Sequence, residues 1–430
     1  MASGARNRLS AGDAPIAWHE RNAKAMMKRY TKTELRLLIA CFAAYTAAYI
    51  SRCNLAPSLD AIATAFGASA ARVGLLPTCF AIPYAAGQVF SGLLADRLPA
   101  PRLMLIGLLG SATINVVFSF CPYFSLLLAL WFANGLLQSL IWTPIVRILA
   151  IHFRDEVRDS AAFFISLTLI FGYLAAWALS GLLTSALSWR VAFRASGVVT
   201  AAIAVPAILS MQGHQMQTQA RHTEHPETQA PVSHLILRTN LLLLLVCCFG
   251  NGYVRDGITN WATKLLMDTQ GIDLGSAVGI ILIIPTVNFL GIRLGQIAYK
   301  RSGGNSYLAA GILFALCTVL CAVLGPASHA GIVACATALV MTSAMTYGLN
   351  PLLTSLMPMN YRSLNRVALA AGLMDAMIYL GSAFSGSFAG FLSDKFGWVA
   401  VFVSWTVLSL FGTLAMAAAH RVALHNARRG

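Results

Sequence analysis

Tyr45-Thr46-Ala47-Ala48-Tyr49-Ile50-Ser51-Arg52-Cys53-Asn54 sets an arginine inside the first long apolar run of the chain. Arginine near the middle of a membrane-spanning helix costs about 2.5 to 3.5 kcal/mol on insertion scales, so it normally faces a polar cavity and meets an anion or a partner. Tyr45 and Tyr49 stand seven and three residues before Arg52, which puts all three on one helical face. That face offers two phenols and a fixed positive charge.

Around this stretch the chain is 58% hydrophobic and 10% charged, with a mean hydropathy of +0.70. Soluble domains carry roughly a quarter charged residues, so this is a polytopic membrane protein. Apolar runs long enough to span fall at 36–58, 73–95, 103–121, 124–150, 160–184, 190–210, 239–264, 276–299, 306–325, 330–356, 367–391 and 398–419. The expected fold is therefore all-α, with twelve transmembrane helices.

A net charge of +15 would suggest nucleic acid in a soluble chain, but its distribution argues against that. The cations gather in the N-terminal segment (Arg21, Lys24, Lys28, Arg29, Lys32, Arg36), in alternate loops (Arg97 and Arg102, Arg154 and Arg158, Lys300 and Arg301, Arg362 and Arg366) and at the C-terminus (Arg421, Arg428, Arg429). This is the positive-inside pattern, which predicts that both termini are cytoplasmic. Residues 1–34 are polar and basic, unlike a cleavable signal peptide, so the first span is expected to serve as the signal. The nine cysteines lie nearly all in apolar runs, without metal-ligand spacing. They read as small helix-packing residues. No metal, cofactor or catalytic constellation is indicated, and the chain is expected to be a monomer surrounded by lipid.

The predicted organisation is a basic arm at 1–35, a six-helix bundle at 36–210, a cytoplasmic linker at 211–237, a second bundle at 238–420 and a tail at 421–430. The linker is rich in Gln, His and Thr and includes Pro226 and Pro231, a composition that favours flexibility. The two halves look like repeats. Arg52 follows Arg36 by 16 residues and Arg255 follows Arg238 by 17, while Trp189-Arg190-Val191-Ala192-Phe193 is matched by Trp398-Val399-Ala400-Val401-Phe402.

The second span ends in Gly92-Leu93-Leu94-Ala95-Asp96-Arg97, with Arg102 just beyond. This resembles the loop motif of the major facilitator superfamily. The resemblance implies two pseudo-symmetric six-helix bundles with a site between them near the midplane. It also implies that Asp96, Arg97 and Arg102 form a gating latch rather than a substrate site. The eighth span ends in Tyr299-Lys300-Arg301, where the corresponding acid is lacking.

Within the superfamily the chain resembles the organophosphate:phosphate antiporters, the group of the glycerol-3-phosphate and hexose-6-phosphate transporters. The pieces that carry this are Tyr49-Ile50-Ser51-Arg52, the Trp142/Pro144/Arg147 pattern, Arg255-Asp256-Gly257-Ile258 with Trp261, Tyr347-Gly348 and Tyr379-Leu380-Gly381. The resemblance implies that Arg52 and Arg255 clamp an anionic phosphate, and that Tyr45, Tyr49, Tyr84, Tyr347 and Tyr379 line the site. Gln88 and Trp142 complete the expected substrate-binding set. Where the glycerol-3-phosphate carriers have lysines and a histidine, this chain has Cys53, Gln88 and Leu169, so the pocket is poorer in positive charge.

A guanidinium makes bidentate, charge-assisted hydrogen bonds to an oxyanion, so one arginine from each half can grip a dianion. The expected function is exchange of a small phosphorylated metabolite for inorganic phosphate across a bacterial inner membrane, by alternating access. Two readings stand beside it: a proton-coupled carrier of a carboxylate or other organic anion, and a transporter-like sensor of sugar phosphate. Asp256 and Asp375 are the candidates for proton coupling or selectivity. Asp256, one residue on from Arg255, is turned about 100° around the helix and is expected to serve another partner. Arg147 reads as a residue snorkelling to the interface, His152 as solvated, Trp261 as packing or substrate contact, and Arg293 as snorkelling or pocket-lining.

Overall fold

A computed structural model describes residues 30–68, 70–224, 240–281 and 283–427. Among the described residues every regular element is a helix. Eleven helices are long and apolar enough to cross a membrane. They match eleven of the twelve expected runs. The remaining run, the eighth, is broken into Leu274–Ile281 and Ile284–Arg301. Pro285 lies in the first turn of the second piece, where its missing N–H leaves no helical bond unmade. Arg293, Lys300 and Arg301 hold down the hydropathy of this piece.

The first span, Lys32–Cys53, starts on a capping box in which Thr31 Oγ1 accepts from the Glu34 amide and Glu34 accepts from the Thr31 amide. Glu34 also takes hydrogen bonds from the Arg154 backbone and guanidinium at 3.0 Å. The start of the first span is thereby tied to the link between the fourth (Phe124–His152) and fifth spans. The fifth is interrupted at Leu167, running as Asp155–Ser166 and Thr168–Ala186. The sixth stays helical from Trp189 through Glu224, so the first fourteen positions read as flexible linker are helical. Positions 225–239, like the basic arm up to 29 and the tail from 428, lie outside the described residues.

The two halves meet where the second span (Leu75–Ala95) crosses the eleventh (Val367–Phe396). The crossing is close because glycines sit at it. A Cβ on Gly372 would stand 2.2 Å from the Gln88 carbonyl oxygen, and one on Gly92 would stand 2.8 Å from the Ala368 oxygen. With no water for their apolar faces to escape, helices in lipid associate through such close backbone packing. At the Asp96 end of the bundle three further contacts join the halves. Asp96 accepts from the Ala368 amide at 3.2 Å, the Tyr299 hydroxyl donates to Asp159 at 2.8 Å, and Arg362 lies 3.5 Å from Asp155. The structure is thus a state closed at that end.

Candidate functional site

The backbone that carries Arg52 is fixed by a buried amide cluster. The carboxamides of Asn115 and Asn134 donate to the Ser51 carbonyl at 2.8 and 3.1 Å, and Gln138 donates to the Ala48 carbonyl and the Ser51 hydroxyl at 3.1 and 3.0 Å. Ser111 links the set through Ser51 and Asn134. Third, fourth and first spans are therefore held together by polar groups that have no alternative partners in hydrocarbon. Their signal in the sequence is polar positions inside apolar runs, a weaker one than a buried charge because an amide can satisfy itself locally.

From this anchored turn Arg52 extends into a cage of phenols. Its guanidinium carbon lies 4.1 Å from the Tyr49 ring centroid, 5.5 Å from Tyr84 and 6.0 Å from Tyr45. Its Nη1 donates to the Tyr379 hydroxyl across the half boundary at 3.0 Å. Desolvated cation–π contacts contribute about 2 kcal/mol. Among the described residues no carboxylate lies within ion-pair distance of Arg52.

Arg255 is differently placed. Its Nε and Nη2 donate to the two carboxylate oxygens of Asp256 at 2.8 and 2.9 Å, and its Nη1 donates to Asn350 Oδ1 at 2.9 Å. This overturns the expectation that Asp256 serves another partner. The angular separation of neighbouring Cα–Cβ bonds does not limit a side chain long enough to fold back. The symmetric clamp of two bare cations is revised as well, since one arginine arrives already neutralised.

Asp375 of the eleventh span accepts from the Tyr84 hydroxyl at 3.3 Å. Together with Arg255, Asn350, Tyr45, Tyr49 and Tyr379 it lines a small cavity of about 20 Å³ between the halves. This is room for roughly one water. Trp142 also lines it, its ring tilted 31° against that of Tyr45 at a centroid distance of 4.9 Å. Tyr173, Ser166 and Thr354 contribute wall that the sequence reading did not assign. Asn350 and Thr354 flank Pro351, after which the tenth span (Ile332–Pro351) turns into a π-helical segment, Leu352–Leu356. Such bulges in helices are frequent at functional sites.

Other expected residues stand apart from the cavity. Tyr347 is near Arg255, its ring centroid 6.0 Å from the guanidinium. Gln88 is wholly buried at the second–eleventh crossing, and neither side-chain polar atom has a hydrogen-bond partner. Trp261 packs on Gly390 and Trp398. Arg293 is exposed and donates to Gln296 at 2.8 Å. Arg147 turns back to the Ala95 and Leu98 carbonyls at the end of the second span, instead of snorkelling outward. Arg97 and Arg102 are exposed, whereas Asp96 is buried beside Arg147, Arg366 and the Ala368 amide. Desolvation there pushes the Asp96 carboxyl up to about 6.

Two helical bundles that meet over a small buried cavity and are closed at one end have the architecture of a membrane carrier. The family model described as Major Facilitator Superfamily matches residues 37–367, and the chain belongs to that superfamily. It is 23% identical to the membrane sensor protein UhpC of Escherichia coli over 332 residues, covering 71% of this chain and 74% of that one. It is 22% identical to the glycerol-3-phosphate transporter of Bacillus subtilis over 404 residues, covering 87% and 89%. The fold superposes on the crystal structure of FucP in the outward conformation with a TM-score of 0.70 at 16% identity, covering 89% of this chain and 97% of that one.

Proposed function

We propose that this protein is a secondary transporter that moves a small organic anion by alternating access, with a phosphorylated metabolite exchanged for inorganic phosphate as the leading case. The observation that carries this reading is Arg52, a buried cation held by phenols with, among the described residues, no carboxylate within ion-pair distance. A guanidinium in that setting stabilises an incoming anion more than it stabilises the empty site. The relatives include a protein named as a glycerol-3-phosphate transporter, which agrees with a phosphate ester. The proposed setting is a bacterial inner membrane with both termini cytoplasmic.

In this mechanism the Asp96 end opens and closes as the second span slides on the eleventh. Substrate approaches the collapsed cavity, displaces the Tyr379 hydroxyl from Arg52 and engages the N–H groups of Arg255 that Asp256 and Asn350 leave unused. The Arg255–Asn350 contact then reports the anion to the π-helical segment of the tenth span. A ligand shifts such an equilibrium only through its differential affinity for the two states. Anion binding between residues of both halves supplies that difference.

One observation favours a second reading. With both carboxylates ionised, Arg52, Arg255, Asp256 and Asp375 sum to zero, so a dianion would leave the site strongly negative. Protonation of Asp375 with binding of a monoanion keeps it neutral. This supports a proton-coupled carrier of a carboxylate or a singly charged ester.

The test is uptake into liposomes by purified protein. Exchange of labelled phosphate for internal phosphate, abolished by Arg52→Lys, supports the antiporter. Uptake that needs a pH gradient and is lost in Asp375→Asn supports proton coupling. Phosphate-ester binding without flux in either assay overturns both and points to a sensor.

A further inference from the structure

We propose that the protein holds an anionic phospholipid in a groove between the first and sixth spans, at the charged end of the first. The groove is an open trough of about 710 Å³ along these two helices. Lys32 and Arg36 stand one helical turn apart at its mouth, with Ser210 opposite, and Ile39, Ala43 and Pro206 form deeper wall. Both helices therefore pass from polar to apolar in the same direction. The hydrogen bond from Thr200 to the Ala47 carbonyl fixes their antiparallel register.

The dimensions suit a lipid of one leaflet. Lys32 to Ala43 is eleven residues, about 16 Å of helix, or half of a hydrocarbon core about 30 Å thick. A headgroup at Lys32 and Arg36 thus places an acyl chain along Ile39 and Ala43, ending near the midplane. Small side chains leave the space, and Pro206 within the sixth helix breaks the regular ladder beside it.

Charge selects the class of lipid. Glu34 is the acid in the first turn of the helix, and it faces away into Arg154. Among the described residues Lys32 and Arg36 are exposed and have no acidic partner. Two unneutralised cations over an apolar slot match a phosphodiester bearing acyl chains. A zwitterionic headgroup would set its own cation against them. Basic pockets between spans are a general basis for such recognition, with each cation near the surface worth about a fivefold change in affinity.

Native mass spectrometry of the full chain in mixed micelles tests this, with phosphatidylglycerol and phosphatidylcholine as probes. Wild type is expected to retain phosphatidylglycerol preferentially. The double variant Lys32→Gln/Arg36→Gln should lose that preference, by about 25-fold for the pair if the two cations act independently. Ala43→Trp keeps both charges and fills the slot, and should lower retention of phosphatidylglycerol. Equal retention of both lipids by wild type would overturn the proposal. So would unchanged retention in the charge variant, a result that stands even if the tryptophan variant fails to fold. Neither outcome depends on what the central cavity carries.

Discussion

Arg255 and Asp256 are sequence neighbours joined by two hydrogen bonds of 2.8 and 2.9 Å, one to each carboxylate oxygen. A buried arginine here brings its own counter-ion, whereas among the described residues the opposing Arg52 touches phenols and makes no ion pair. The two arginines that look equivalent along the chain are therefore chemically unlike, and their substitution should separate them.

Arg255→Gln strands the Asp256 carboxylate, whereas Arg52→Gln removes a charge that has no ion-pair partner. Breaking a buried pair costs about 3–5 kcal/mol. The Asp256 side chain is 20% exposed, which reduces the expected loss to about 1–3 kcal/mol. Thermal unfolding in detergent should show both variants below wild type, with Arg255→Gln the lower of the two, because Arg52→Gln loses phenol contacts but strands no ion-pair partner. The reverse order would mean that Arg52 is the structurally compensated residue.

Asp256→Asn leaves Arg255 cationic and raises the site charge by one. Binding should shift toward doubly charged anions, with inorganic phosphate and phosphate esters gaining against monocarboxylates by about tenfold, the worth of 1.4 kcal/mol. Competition against a bound probe anion at fixed pH measures the ratio. An unchanged ratio would show that Asp256 orients Arg255 without contributing its charge to selectivity.

Asp96 gives the closed end a pH dependence whose sign follows from its surroundings. Its carboxyl is pushed from 3.8 up to about 6, chiefly by desolvation, so the closed end binds a proton more tightly than an opened, hydrated one does. The stabilisation is complete below pH 4 and is lost as pH rises through about 6. Spin labels on the second and eleventh spans should report more closed molecules at pH 5 than at pH 7.5. Asp96→Asn should hold the closed fraction nearly constant across that range.

Gly372 and Gln88 make the crossing of the second and eleventh spans a further place to act. Gly372→Ala puts a methyl carbon 2.2 Å from the Gln88 carbonyl oxygen, contact that only separation of the helices relieves. Overpacking of this kind costs about 1–3 kcal/mol. The same label pair should show the closed state depleted. Gln88→Leu removes a buried carboxamide with no partner and should instead favour the closed state, by about 1–2 kcal/mol.

Composition and charge placement were enough to define the membrane class, the helical spans and the position of Arg52 and Arg255 within them. These follow from local physics, because an apolar run about 20 residues long has few other fates and a buried arginine is costly wherever it lies. The sequence also pointed to Tyr45, Tyr49, Tyr379 and Asp375, which the fold brings to one cavity. Tertiary structure decided the rest. Pairing of Asp256 with Arg255 depends on side-chain reach, the burial of Asp96 against Ala368 on how the halves meet, and the exposure of Arg293 on the rotation of a broken helix. The amide cluster behind Ser51 joins three spans far apart in sequence. Its members are unremarkable one by one, and only their convergence on Ser51 reveals what they hold in place.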